Sequence, residues 1–160
     1  MATANIETTI PSYYTARPSN SLIQAAHQAS TRQWWDEGFS GLDLVTSLET
    51  LDEVARGDGV TARARGALLS NVRLLLVTDD VIKLASKLVL EGIVPAKAAS
   101  DAIHIAVASV HRIDYLVTWN FKHIANPFSR ERLRKVVTEA GYVLPIMCSP
   151  DELLQNNEDD

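Results

Sequence analysis

Short runs of consecutive apolar residues alternate along this chain with longer stretches in which apolar positions recur every three or four residues. The first pattern suits strands covered on both faces, the second amphipathic helices. Ala4–Glu7, Leu42–Val45, Leu74–Val77, Tyr115–Thr118 and Val143–Met147 read as strands. Leu22–Trp35 reads as a helix packing through Leu22, Ile23, Ala26, Ala29 and Trp34, with Pro11 opening a turn or helix before it. Thr46-Ser-Leu-Glu49 has the form of a capping box, starting a helix that Gly57 can end; Thr61–Leu69 is a further helix. Val81–Leu90 follows a cap at Asp79 or Asp80 and stops at Gly92. Ala98–His111, Arg130–Ala140 (ended by Gly141) and Pro150–Leu154 complete the helices. Strands alternating with helices predict an α/β fold, a three-layer α/β/α sandwich around a mainly parallel central sheet.

The length of 160 residues fits one domain, expected over residues 1–155, with 156–160 as a disordered acidic tail. Apolar residues make up 46% of the chain, enough to build a core. No apolar run approaches the roughly 20 residues that span a bilayer, and no basic-then-apolar leader opens the sequence. No membrane association is therefore expected. Cys148 is alone and has no internal disulfide partner, which fits a reducing, cytoplasmic setting.

The formal net charge of −5 argues against nucleic acid until the charge is read locally. Asp151, Glu152, Glu158, Asp159 and Asp160 concentrate acid at the end. Arg112, Lys122, Arg130, Arg132, Arg134 and Lys135 lie in a segment holding only Asp114 and Glu131 as acids. Such a segment attracts a phosphate backbone, and it also suits an ordinary solvated helix face.

The candidate chemistry lies in three acids far apart in sequence. Glu7 closes the first strand, Glu53 rides the helix after the second, and Asp101 opens an Ala-rich helix. Open parallel sheets collect ligands at the carboxyl ends of their strands. Acids gathered there can hold a hard divalent cation such as Mg²⁺ or Mn²⁺, which polarises phosphoryl oxygens and activates water. Each acid also has a plain structural account. Glu7 can be a strand-end surface residue, Glu53 a solvated helix acid, and Asp101 a partner of the helix dipole. Thr8 and Thr9 can orient Glu7 or cap the next turn. Glu49 is assigned to the capping box, and His104 to a structural hydrogen bond. After the fourth strand, Asn120 can bind a cation or its water, His123 can do likewise or touch phosphate, and Trp119 either stacks on a base or packs at the strand end.

The strings Ile6-Glu-Thr-Thr-Ile-Pro-Ser12, Leu51-Asp-Glu-Val-Ala-Arg-Gly-Asp58, Asp101-Ala-Ile-His-Ile-Ala-Val-Ala108 and Leu116-Val-Thr-Trp-Asn-Phe-Lys-His-Ile124 resemble, in order and spacing, a PIN domain of the VapC-like toxin ribonuclease branch. The resemblance covers about residues 4 to 150. It implies an α/β/α sandwich and an Mg²⁺- or Mn²⁺-dependent endoribonuclease, the toxin of a type II toxin–antitoxin pair. Glu7, Glu53 and Asp101 fall on its metal-binding acids, and with Asn120 form the expected catalytic set. Thr8, Thr118, Lys122, His123, Arg130 and Arg134 are the expected substrate-binding residues. RNA, a small antitoxin protein and a second copy of the chain are the implied partners. The sequence departs from the pattern at two places: Glu stands for Asp at position 7, and His123 stands where a fourth acid is usual. These departures raise an alternative, a weak or inactive PIN-like module that binds RNA or a protein. A phosphoacceptor receiver would share the fold class but wants acids paired after the first strand, where only Glu7 is found.

Overall fold

The structure is a computed structural model describing residues 1–39 and 41–154; the expected tail at 156–160 lies outside the described residues. Five strands form one sheet: β1 (Ala2–Ile6), β2 (Leu42–Ser47), β3 (Arg73–Leu75), β4 (Tyr115–Val117) and β5 (Ile146–Cys148). Every pairing is parallel, in the order β3-β2-β1-β4-β5. The helices are α1 (Thr9–Thr15), α2 (Leu22–Gln33), α3 (Leu48–Val54), α4 (Gly59–Leu68), α5 (Asp79–Leu90), α6 (Ala99–Val110), α7 (Arg130–Glu139) and α8 (Pro150–Leu154).

The pleat sends successive strand residues to opposite faces. Leu116 and Met147 enter a core built with α5, α6 and α7, whereas Val117 and Cys148 enter a second core with Ile10, Trp34 and Val54. Two cores on the two faces of one parallel sheet make the α/β/α sandwich the apolar runs predict. α6 is buried on several sides because its small residues, Ala102, Ala106 and Ala108, let it lie close to the sheet.

The chain departs from the pattern reading in four places. α2 does not pack through Leu22, Ile23, Ala26 and Ala29: Leu22 and Ile23 are 90% and 71% exposed, and both alanines are exposed. Its buried residues are Gln28 and Thr31. Gln28 Nε2 donates to the Arg17 carbonyl (3.0 Å) and its Oε1 accepts from Ser19 N (3.0 Å). Thr31 Oγ1 donates to the His27 carbonyl (2.6 Å) and accepts from the Trp119 indole (2.7 Å). Polar groups so fully bonded can be buried at little cost. Trp34 does reach the core, in a π-helical turn at Trp34–Gly38 that follows α2. β3 is an edge strand, and only its Leu75 is buried. β2 runs on to Ser47, so Ser47 rather than Thr46 caps α3, its hydroxyl accepting from Thr50 N (3.2 Å). Thr46 instead donates to the Ile6 carbonyl (2.8 Å). Lastly, Thr78, not Asp79 or Asp80, caps α5.

Candidate active site

The strand order carries the geometry. From β1 the chain moves to β2 and then β3 on one side, while β4 pairs on the other side of β1. Connections leaving the carboxyl ends of β1 and β4 therefore diverge, and a crevice opens between them. Glu7 immediately follows β1, and Thr118 immediately follows β4. Backbone pairing continues across this point, with Glu7 N donating to the Val117 carbonyl (3.3 Å).

Glu7 is only 3% exposed. Its Oε1 accepts from Thr9 N (2.6 Å), and its Oε2 from the hydroxyls of Thr9 (2.9 Å) and Thr118. Burial pushes its carboxyl above the usual range; the charge of His104 and the bonds from Thr118 and Thr9 oppose this only in part. Thr9, rather than Thr8, thus orients Glu7. Thr8 instead donates to Glu53 Oε1 (2.7 Å). Thr118 is fully buried, and its hydroxyl also accepts from Asn120 N (2.9 Å). These two expected substrate contacts therefore act as internal hydroxyls that hold the acids.

His104 stands among the three acids. It lies three residues after Asp101 on α6, is 1% exposed, and its Nε2 hydrogen-bonds Glu53 Oε1. Burial pulls its pKa down, but the bond to Glu53 and the charges of Glu7, Glu53 and Asp101 outweigh this and leave it raised. Glu53 shows the reciprocal effect: burial pushes it up, while His104, Thr8 and Ser100 bring it below its usual value. For Asp101 burial wins and the carboxyl is raised, against a hydrogen bond from Asn120 and the charges of His104 and His123. The His104 imidazole thus hydrogen-bonds Glu53 on α3 and feels the charges of Glu7, just after β1, and Asp101 on α6.

Asn120 Oδ1 accepts from Lys122 N (3.2 Å) and His123 N (2.9 Å). Both lone pairs of that oxygen are engaged, so it is the amide NH₂ that is left to face Asp101. The resulting turn sets Lys122 exposed and His123 half-buried beside the crevice. Arg130 and Arg134 lie on α7, where Arg134 is exposed and paired with Glu131, so its charge is partly neutralised. Among the described residues, neither arginine bonds Glu7, Glu53 or Asp101.

Glu49 was hidden from the sequence reading by its assignment to a capping box. With the cap at Ser47, its Oε1 is free to accept from the Ser100 hydroxyl (2.6 Å), beside Asp101. Ser47-Leu-Glu-Thr50 offers a competing cap one residue later, and that was the available signal.

The donors suit a hard divalent cation in kind: oxygen ligands on three separate elements, two of them carboxylates raised by burial and only partly relieved by His104. In arrangement, no three His, Cys, Asp or Glu side chains among the described residues close on a single point.

The fold has known counterparts. Over 92% of this chain and 98% of the other, it is similar to VapBC2 from Rickettsia felis bound to a DNA fragment from the promoter, with 13% identity and a TM-score of 0.55. It is also similar to a toxin–antitoxin complex from Klebsiella pneumoniae over 79% of this chain and 93% of that one, with 24% identity and a TM-score of 0.54. The chain thus shares its fold with a chain of each of these two complexes. No family model matches the sequence, and no curated protein matches it. No helix among the described residues is long and apolar enough to cross a membrane.

Proposed function

We propose that this chain is a divalent-metal-dependent endoribonuclease, the toxin of a type II toxin–antitoxin pair. The observation that carries the reading is the placing of Glu7 beside Thr118 at the crevice between β1 and β4, with Glu53 bonded to both Thr8 and His104 and Asp101 near the same imidazole. The VapC-like fold supports it. Glu7, Glu53 and Asp101 would hold Mg²⁺ or Mn²⁺. Such an ion supplies Lewis acidity toward a phosphoryl oxygen and makes an attacking water more acidic. Thr9 and Thr118 keep Glu7 oriented, Thr8 and His104 keep Glu53 oriented, and Asn120 does this for Asp101. Lys122 and His123 would contact the phosphates on either side of the scissile bond. Arg130 and Arg134 extend positive charge along α7 for the more distant backbone. A small antitoxin is the proposed protein partner, a second copy of the chain the proposed homodimer partner, and the cytoplasm the proposed location.

A second reading, an RNA- or protein-binding module that does not cut, is favoured by one observation: no three ligands close on a point. Asp101→Asn separates the two. The nuclease reading expects Mn²⁺ binding at millimolar or lower concentration by calorimetry in the wild type, weakened at least tenfold in the variant, with RNA cleavage lost and the fold kept. Unchanged cleavage in the variant ends the assignment; a wild type that binds RNA but neither Mn²⁺ nor cuts favours the second reading.

A further inference from the structure

Beside the acids sits an aromatic group the mechanism does not use. Trp119 follows Thr118 directly and is 7% exposed. One face of its indole stacks on the His27 imidazole, with ring centroids 4.0 Å apart and planes 16° from parallel. Its indole N–H is held by Thr31 Oγ1 and its backbone N–H by Thr9 Oγ1 (2.8 Å), the same hydroxyl that holds Glu7. Trp119 is therefore a fixed wall. Phe121 stands edge-to-face on that wall, 6.0 Å from Trp119 at 83° and 6.5 Å from His27 at 81°. The turn around Asn120 Oδ1 fixes its backbone. Yet Phe121 remains 45% exposed.

Single exposed apolar side chains are common and mean little by themselves. Phe128, at 94%, is an example: it pairs with no aromatic ring among the described residues. Phe121 differs in being held in one orientation by two rings before anything binds, which lowers the ordering cost of an added contact. It also lies between the residue that bonds Asp101 and the exposed Lys122. A half-exposed, pre-ordered ring, followed in the chain by an exposed cation and preceded by the residue that bonds a candidate catalytic acid, matches the repeat of a single nucleic-acid strand: a flat base beside its phosphate.

We propose that Phe121, backed by Trp119 and His27, is a stacking platform for one unpaired base of single-stranded RNA next to the scissile phosphate, with Lys122 on the adjoining phosphate. The inference rests on the nuclease reading for its substrate class. Stacking of this kind accepts any base, so the platform selects for unpaired strand rather than for sequence.

The test uses a mixed-sequence single-stranded RNA 12-mer carrying 2-aminopurine, with binding read by anisotropy and by 2-aminopurine quenching in EDTA, and cleavage read separately in Mn²⁺. Phe121→Ala and Phe121→Leu are expected to weaken binding roughly 5- to 150-fold and to abolish the quenching, whereas Phe121→Trp keeps both. Phe128→Ala is the surface control and should bind as wild type, and duplex RNA of the same sequence should not distinguish the Phe121 variants. If Phe121→Leu binds as wild type, or Phe128→Ala loses as much as Phe121→Ala, the platform is overturned while wild-type cleavage keeps the nuclease reading. A wild type that neither binds nor cuts RNA overturns both.

Discussion

Replacing His104 with Leu takes a buried imidazole, with its pKa raised, away from Glu53 and the neighbouring acids while nearly conserving side-chain volume, so little cavity cost enters. Breaking a buried pair costs ~3–5 kcal/mol when the remaining charge stays dry. Here Glu53 keeps 23% of its side-chain surface in water, so its carboxylate partly rehydrates. Leu also removes the imidazole Nδ1, which is buried with no partner among the described residues, and this returns part of the ~1–3 kcal/mol that such a group costs. The net loss should be about 2 kcal/mol, or roughly 4–8 °C in Tm for a chain of this size. The pH dependence gives the sharper test. His104 is raised in the folded state, so its contribution is complete below its usual value of 6.5 and fades as pH rises through the higher folded value. Glu53 is lowered, so its contribution is present above its usual value of 4.5 and is lost as pH falls through the lower folded value. Urea denaturation of both proteins should therefore show the widest gap between about pH 4.5 and 6.5, narrowing on the alkaline side. A gap that is flat from pH 5 to 9, or widens with pH, would refute the buried imidazolium.

Two further outcomes follow from the same geometry. Thr118→Val removes a donor to Glu7 and orphans the Asn120 N–H, and should cost ~1–3 kcal/mol in denaturant unfolding; a variant as stable as wild type would mean the hydroxyl is not bonded as described. Cys148 is 4% exposed, and burial, with the charges of Glu152 and Asp151, pushes its thiol up to about 12. At pH 8 a disulfide reagent should label the native chain at least ~100-fold more slowly than the urea-unfolded chain, and rapid native labelling would contradict that burial.

Much of this protein was legible one segment at a time. Apolar runs marked strands because a strand covered on both faces needs no alternation. Gly92 and Gly141 end α5 and α7 with φ of 73° and 91°, a conformation that glycine adopts without a Cβ penalty. The three acids could be named because Glu7 follows a strand end, Glu53 rides the helix after β2, and Asp101 opens α6. Local pattern failed wherever the deciding partner was remote. Leu22 and Ile23 looked like a core face, but Thr31 and Gln28 took the buried side because Trp119 and the Arg17–Ser19 loop supply their hydrogen bonds. Ser47 displaced Thr46 as cap because pairing with β3 carries β2 two residues past Val45. No spacing within the sequence could reveal that His104 meets Glu53, or that Thr9 and Thr118 share one carboxylate. The sequence alone determined which elements form and which acids are available. Only the tertiary structure, with the strand order β2-β1-β4 that separates the loops after β1 and β4, decided that Glu53 bonds His104 and that Glu7 is held by Thr118 across the sheet.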